Sequence, residues 1–234
     1  MKRIFEFGGD AFELAGDAAL YWPRHDALLV SDLHLEKASA YAAGGQMLPP
    51  YDSLATIQAL ASLSQIFRPA RIICLGDNFH DIGGEKRLGS DAADILSDLI
   101  GSTKWVWITG NHDPVVEGRW GGVSVAEMKL GDILLRHEAT AGEALPEISG
   151  HFHPKFRQVL RGRMISRRCF VKSSRKLIMP AFGTLTGGMD VHEAAILKAC
   201  DLADGENADA MIPVHNGFTR FVLKPDPNLS MVRR

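Results

Sequence analysis

The sequence lacks the features that mark several classes of protein. It has three cysteines among 234 residues, and no two form a Cys-x-x-Cys pair, which argues against a disulfide framework or a structural zinc site. No apolar run approaches the roughly 18 residues that a membrane span needs. The first residues, MKRIFEFGGD, lack the apolar centre of a signal peptide. These absences predict a soluble, cytoplasmic protein without a membrane partner.

The composition is that of an ordinary globular protein. With 46% hydrophobic and 23% charged residues, the chain does not fit the collagen-like, disordered or coiled-coil classes. At about 150 residues per domain the length allows one large domain or two small ones. Because no segment resembles a linker, we expect a single domain spanning residues 1–234.

Apolar runs alternate with helical patterns in the first half of the chain. The runs predict strands at Ala27–Val30, Arg71–Leu75, Trp105–Thr109, Ile133–Arg136 and Leu177–Met179. Apolar residues at steps of three and four predict helices over Ser53–Phe67 and Ser90–Ile100, with Ser90 as the N-cap and Gly101 just beyond the C-terminus. The second half is mostly strands. This order predicts a layered α/β fold with at least one mixed sheet.

Polar motifs follow five of the predicted strands, and they contain six of the nine histidines. They read Asp-x-His, Gly-Asp-x-x-His, Gly-Asn-His-Asp, a lone His and Gly-His-x-His. Taken singly, each histidine is more often a hydrogen-bonded loop or core residue. Chance predicts Gly-Asn-His-Asp only about 0.001 times in a chain of this composition. Since sites in α/β folds form at the carboxyl ends of strands, the whole set predicts a functional site.

The residue types predict a metal centre. Asp, Asn and His without thiolates suit manganese, iron or zinc. Residues two apart in an extended segment point to the same side, so Asp32 with His34 and His151 with His153 could each chelate an ion. Seven candidates are too many for one ion and suit two that share Asp77: Asp32, His34, Asp77, Asn111, His137, His151 and His153. Two such ions clamp an in-line displacement at phosphorus. His112 is then left to protonate the leaving oxygen or stabilise the transition state.

In this order the motifs resemble the calcineurin-like metallophosphoesterase superfamily over about residues 28–153. Phrases such as SDLHLEKASAYAAGGQMLPPYD and LIMPAFGTLTGG are similar to those of the bacterial DNA ligase-associated metallophosphoesterases, from near Phe5 to near Gly188. The resemblance implies an α/β four-layer sandwich of two mixed β-sheets flanked by helices. It also implies a functional association with DNA ligase, a helicase and a nuclease.

The same resemblance implies a role for each site residue. Asp32, His34 and His153 would hold one divalent cation. Asn111, His137 and His151 would hold the second, and Asp77 would bridge the two together with a water or hydroxide. His112 would be the catalytic histidine. We expect Mn²⁺ first, with Fe or Zn as alternatives.

Two positions depart from the broader superfamily. Phosphoprotein phosphatases continue the second motif as Gly-Asp-x-x-Asp-Arg-Gly, whereas His80 occupies the second Asp position here and no Arg follows Asp81. This is closer to the nuclease branch, so His80 is a second catalytic candidate. Glu138 replaces the common Gly after His137, which predicts more acidic surroundings for the second ion.

The charge is concentrated in one segment. Lys155–Lys176 holds nine of the 26 basic residues and none of the 28 acidic ones. Such a segment can steer an anion to one face, or it can be a solvated hairpin whose charges prevent aggregation. The candidates for nucleic-acid binding begin four residues after His153: Arg157, Arg161, Arg163, Arg167 and Arg168.

Together these features predict a two-metal phosphodiesterase or nuclease that cleaves DNA during repair, by in-line attack of a metal-bridging hydroxide. The alternative enzyme is a small-molecule phosphatase or nucleotide pyrophosphohydrolase with the same core. The alternative outside enzymes is a metal-poor scaffold of the same fold that binds a protein.

Overall fold

The strands form two seven-stranded sheets and one two-stranded hairpin in the computed structural model, which describes residues 3–114 and 118–224. The first sheet consists of β1 (Ile4–Phe7), β2 (Asp10–Ala15), β3 (Ala19–Trp22), β4 (Ala27–Val30), β5 (Arg71–Leu75), β6 (Lys104–Ile108) and β7 (Val123–Val125). The second contains β8 (Glu127–Leu130), β9 (Ile133–Arg136), β10 (Glu147–Ser149), β13 (Phe170–Lys172), β14 (Lys176–Ile178), β15 (Ala208–Val214) and β16 (Gly217–Leu223). The hairpin is β11 (Lys155–Leu160) and β12 (Arg163–Arg168).

Helices occupy the outer faces of the sheets. They are α1 (Lys37–Ala43), α2 (Asp52–Phe67), α3 (Gly84–Arg87), α4 (Ser90–Ser102) and α5 (Ala194–Ala199), and a 3₁₀ turn lies at Pro23–His25. No helix within the described ranges is long and apolar enough to cross a membrane. All three cysteines are buried and free of disulfide bonds.

Both sheets are mixed. In the first, β1 to β4 pair antiparallel in chain order, and β4 to β7 continue the sheet with parallel pairing. In the second, with order β16-β15-β13-β14-β10-β9-β8, the three neighbouring strands β14, β10 and β9 are parallel and the rest pair antiparallel. Parallel strands next to one another bring their carboxyl ends to the same edge of each sheet.

The apolar residues divide into three clusters that separate four layers. One cluster fills the space between the sheets and includes Phe12, Trp22 and Leu135. A second packs the outer face of the first sheet against α2 and α4, and a third packs the outer face of the second sheet against α5. The expected four-layer sandwich of two mixed sheets flanked by helices is therefore confirmed.

Several boundaries differ from the prediction. Strands β6 and β14 each begin and end one residue earlier than predicted, α2 begins one residue earlier, and both ends of α4 differ. In α4, Gly89 is the N-cap and Ser90 already lies inside the helix, with no side-chain cap. The helix also continues through Gly101 to Ser102, since the hydroxyl of Thr103 donates to the carbonyl of Leu99 at 2.8 Å and satisfies the end of the helix. The antiparallel meander β1–β3 was not predicted. A single domain over residues 1–234 stays a prediction.

Candidate metal centre

The loops after β4 and β5 run side by side beyond the first sheet. The amide of Asp32 donates to the carbonyl of Gly76 at 3.1 Å, and that of His34 donates to the carbonyl of Asp77 at 2.8 Å. The backbone there is left-handed instead of extended, which is uncommon for residues with a side chain. Five of the seven candidate ligands have a φ between 45° and 69°: Asp32, His34, Asp77, His151 and His153. Such conformations persist where surrounding contacts over-determine them, and they cluster at functional sites.

Four of the candidates form a first cluster at the ends of β4, β5 and β10. One side-chain donor atom from each of Asp32, His34, Asp77 and His153 lies within 4.8 Å of the others. The Nε2 atoms of His34 and His153 are 3.2 Å apart, and Nε2 of His153 is 3.1 Å from Oδ1 of Asp32. Asp32 and His34 thus meet in one cluster as their spacing predicts, although the segment is not a strand.

A second cluster shares Asp77 with the first. Asp77, His137 and His151 also place donor atoms within 4.8 Å of one another. Asn111 joins them, because its Oδ1 is 2.9 Å from Nε2 of His137 and 3.0 Å from Nδ1 of His151. The two oxygens of Asp77 face different clusters: Oδ1 is 3.4 Å from Nε2 of His137, and Oδ2 is 3.7 Å from Nε2 of His34. This arrangement suits two ions that share one carboxylate.

The orientation of His137 fits a cation. Its Nδ1 donates to the carbonyl of Leu75 at 3.1 Å, so Nε2 of the neutral ring carries a lone pair. In the neutral ring that lone pair faces Oδ1 of Asp77, which is 3.4 Å away. Two acceptors held this close are favourable with a positive ion between them. The set of nitrogen and oxygen donors without thiolates suits an intermediate divalent metal.

His112 lies beside the first cluster without joining it. Its Nδ1 donates to the backbone carbonyl of His80 at 2.8 Å, which leaves Nε2 as an acceptor 4.0 Å from Oδ2 of Asp77. The ring is 38% exposed and stacks on the ring of His80, with centroids 5.0 Å apart and an interplanar angle of 24°. His34, His80 and His112 form a third group of neighbouring nitrogens. His80 therefore orients His112 through its backbone, where sequence reasoning had considered its side chain.

Burial shifts the pKa of several histidines in the site. It lowers the pKa of His34 to about 3, against an opposing effect of Asp32, and it also lowers the pKa of His80 and of His151. Burial alone would raise the pKa of Asp32, but His153 and its neighbours hold the pKa below its usual value. Neutral imidazoles and ionised carboxylates are the forms that bind metal ions. Oε1 of Glu138 lies 3.8 Å from Nε2 of His151.

Sequence reasoning missed Asp113, which fastens the loops of the site together. Its buried Oδ2 accepts from the amide and the side chain of Asn78, both at 2.8 Å, and from the amide of Phe79 at 3.2 Å. Its Oδ1 accepts from the amide of Gly110 at 3.0 Å. Burial raises the pKa of Asp113 to about 6, against these hydrogen bonds. The signal was available, since Asp113 completes the Gly-Asn-His-Asp motif.

Glycines beside the ligands were also missed. A Cβ at Gly110 would collide with the backbone and side chain of Asp77, and a Cβ at Gly150 would collide with Oδ2 of Asp32. Gly76 likewise lies against the ring of His137. Each of these glycines directly precedes a candidate ligand in its motif. A side chain at any of these three glycines would therefore prevent the ligands from lying this close to the glycine backbone.

The first part of the basic segment forms the hairpin β11–β12, as expected for Lys155–Leu160, and the rest of the segment continues through β13 to the start of β14. Its turn, Arg161-Gly162, has positive φ at both residues, the pattern of a type I′ turn. The cross-strand register places Arg157 and Arg168 on one face with Lys155, and it places Arg163 and Arg167 on the other. On the first face, Arg168 donates to the carbonyls of Phe182 and Gly183, and Arg157 donates to the carbonyl of Gly188. Three other arginines are exposed and make no such contact with the 182–188 loop: Arg161, Arg163 and Arg167.

Comparison with known proteins places the chain among phosphoesterases. The family model of the calcineurin-like phosphoesterases matches residues 26–160. The crystal structure of the Pseudomonas putida nuclease MPE is similar with a TM-score of 0.69 and 28% identity, over 94% of this chain and 100% of that one. The phosphoesterase Yfce from E. coli has 12% identity and a TM-score of 0.41 over 85% of this chain and 99% of that one. No curated protein matched the chain.

Proposed function

The chain belongs to the calcineurin-like phosphoesterase family and hydrolyses phosphoester bonds, and we propose that it is a two-metal phosphodiesterase that cleaves nucleic acid, with DNA under repair as its substrate. One observation carries the proposal. Two clusters of nitrogen and oxygen donors share Asp77, and the accepting Nε2 of His112 lies 4.0 Å from that carboxylate. Two ions held in this arrangement can clamp the attacking and leaving oxygens of an in-line displacement at phosphorus.

Each cluster holds one cation in this proposal. Asp32, His34 and His153 would hold one ion, Asn111, His137 and His151 would hold the second, and Asp77 would contribute to both sites. Two divalent cations, Mn²⁺ in the first place, would supply a nucleophile from water at neutral pH and neutralise charge on the phosphoryl oxygens. The leaving oxygen takes its proton from Nε2 of protonated His112. The carbonyl of His80 keeps the other nitrogen of that ring protonated, so Nε2 is the atom that exchanges the proton.

Two observations favour a nucleic acid over a small phosphate ester. The similar structure from Pseudomonas putida carries the name of a nuclease. The hairpin beside His153 also presents Arg161, Arg163 and Arg167 to solvent. The association with DNA ligase, a helicase and a nuclease stays a prediction of the sequence resemblance.

A substrate panel with defined metals tests the proposal. Chelated protein supplemented with Mn²⁺, Fe²⁺ or Zn²⁺ is assayed on bis-p-nitrophenyl phosphate, p-nitrophenyl phosphate, nucleotides, and labelled DNA and RNA. We expect chelation to abolish hydrolysis, Mn²⁺ to restore it, and diesters including DNA to be preferred. Asp77→Asn should lose nearly all activity and lower the metal content, because both clusters use that carboxylate. Full activity after complete removal of metal would refute the two-metal reaction, and a preference for monoesters would favour the small-molecule phosphatase.

Salt dependence tests the role of the hairpin. Each phosphate neutralised by a cation contributes about 0.7–0.9 to the slope of log affinity against log salt. Replacing Arg161, Arg163 and Arg167 with alanine should weaken DNA binding and reduce that slope. Arg168→Ala is the matched control, because Arg168 is committed to the carbonyls of Phe182 and Gly183. If the triple variant keeps the wild-type slope, the hairpin is a solvated edge and does not bind nucleic acid.

A further inference from the structure

A cleft beside the metal centre has no part in the chemistry described so far. It has a volume of about 390 Å³ and lies between α1 and the loop of residues 184–187. Lys37 and Tyr41 of α1 line one side together with Leu48, and the loop lines the other. The volume is within the range of sites for small organic groups.

The walls of the cleft are held by hydrogen bonds. The amide of Ala38 donates to Oδ2 of Asp52 at 3.0 Å, which ties α1 to the start of α2. On the other wall, the hydroxyl of Thr184 donates to the carbonyl of Asp52 at 3.1 Å. The amide of Gly183 donates to the carbonyl of Asp32 at 3.1 Å, so the same loop is fixed to a candidate metal ligand. The cleft is therefore preformed and keeps its position relative to the ions.

A column of rings connects the cleft to the reacting centre. The ring of Tyr41 stacks on that of His80, with centroids 5.8 Å apart and an angle of 23°, and His80 in turn stacks on His112. Tyr41 lines the cleft and its side of α1 is accessible, since the residue is 38% exposed. A leaving group that departs from His112 would meet this column of rings next.

The cleft also offers a cation. Within the described ranges the ammonium of Lys37 makes no hydrogen bond or ion pair, although the carboxylate of Asp52 attracts it, and Lys37 lines the cleft together with Tyr41. An aromatic ring and an ammonium without a hydrogen bond match the two parts of a nucleotide, a flat base and a phosphate.

We propose that this cleft binds the nucleotide on the leaving-group side of the scissile phosphate, with its base stacked on Tyr41 and its next phosphate paired with Lys37. This inference rests on the proposed phosphodiesterase function. It assigns to α1 a role in substrate recognition that is separate from metal binding.

The test compares a substrate with and without the base at that position. Dithymidine monophosphate is hydrolysed by the Mn²⁺-loaded enzyme, and the products identify the nucleoside that leaves. A second dinucleotide lacks the base on that leaving nucleoside, and a third lacks the base on the other one. We expect wild-type kcat/KM to fall about 5- to 150-fold when the leaving base is absent, the range of a base–aromatic stack. Tyr41→Ala should reduce that ratio to about one, and Tyr41→Phe should keep it. Because the readout is a ratio on one protein, a general loss of activity cancels.

Tyr51→Ala is the matched control, because Tyr51 is an exposed aromatic residue that does not line the cleft. It should keep the wild-type ratio. Lys37 is tested in the same way with a dinucleotide that carries an extra phosphate on the leaving nucleoside. Lys37→Ala should abolish the preference for that phosphate, and Lys37→Arg should retain part of it.

The possible failures can be distinguished. If the wild-type enzyme cleaves dinucleotides without regard to the leaving base, or if Tyr41→Ala keeps the preference, the cleft is not the subsite. If it hydrolyses bis-p-nitrophenyl phosphate but no dinucleotide, the proposed nucleic-acid function is wrong and the inference fails with it.

Discussion

Replacing Asp113 should weaken the whole site without removing a ligand. The Asp113 carboxylate is 1% exposed and accepts four hydrogen bonds from Asn78, Phe79 and Gly110. In Asp113→Ala these four donors lose their partner inside the protein. In Asp113→Asn the remaining carbonyl oxygen can serve the side of Asn78, but the new amide group then faces the amide of Gly110.

The expected magnitudes follow from the number of donors. A buried donor left unsatisfied costs roughly 1–3 kcal/mol. At the lower value, four donors give about 4 kcal/mol for Asp113→Ala and one gives about 1 kcal/mol for Asp113→Asn. Since domains are stable by about 5–15 kcal/mol, both variants should still fold. Asp77 and Asn111 adjoin Asn78 and Gly110 in sequence, so metal affinity should fall in the same order.

Denaturant unfolding of the chelated protein measures the loss of stability without any contribution from metal. Titration of the refolded variants with Mn²⁺ measures the loss of metal affinity. Asp132→Ala is the control, because this carboxylate is 87% exposed and its ion pair with Lys129 lies on the surface. A loss below about 1 kcal/mol in chelated Asp113→Ala would show that the four hydrogen bonds do not fasten the loops together.

The remaining predictions concern the reacting centre. His112→Ala should keep its metal content and lose about 10²- to 10⁴-fold in kcat on DNA, and metal loss in this variant would contradict the assignment. His80→Ala should lose less activity, because any residue at that position retains the carbonyl that orients His112. Gly110→Ala should reduce metal affinity about 10- to 100-fold, because the new Cβ would displace Asp77. Its control is Gly101→Ala, an open helical position where alanine should add roughly 0.5–1 kcal/mol of stability. Equal metal affinity in the two glycine variants would show that a Cβ at position 110 does not displace Asp77.

Sequence patterns predicted the elements that carry the metal centre. The bounds of β4 and β5 agree with the apolar runs, and α2 begins one residue before the predicted start. The convergence of the motifs needed one further principle, that the carboxyl ends of neighbouring parallel strands meet. Local patterns could not supply partners distant in sequence. The four N–H groups that donate to Asp113 belong to two loops, and folding brings those loops to one carboxylate.

The basic hairpin shows why a count of charges along the sequence is a poor guide to a surface. Nine basic residues in one segment suggest a single cationic path, yet side chains alternate between the faces of a strand, so the register decides where each charge lies. That register depends on the turn at Arg161-Gly162, which lacks the Asn-Gly or Asp-Gly signature of most two-residue hairpin turns. In the observed register, Arg157 and Arg168 face the 182–188 loop. Arg163 and Arg167 lie on the opposite face with Phe156, which packs on Phe221. A phosphate backbone can contact one face at a time, so the cations available to it are fewer than the sequence suggests, and the salt slope should reflect that smaller number.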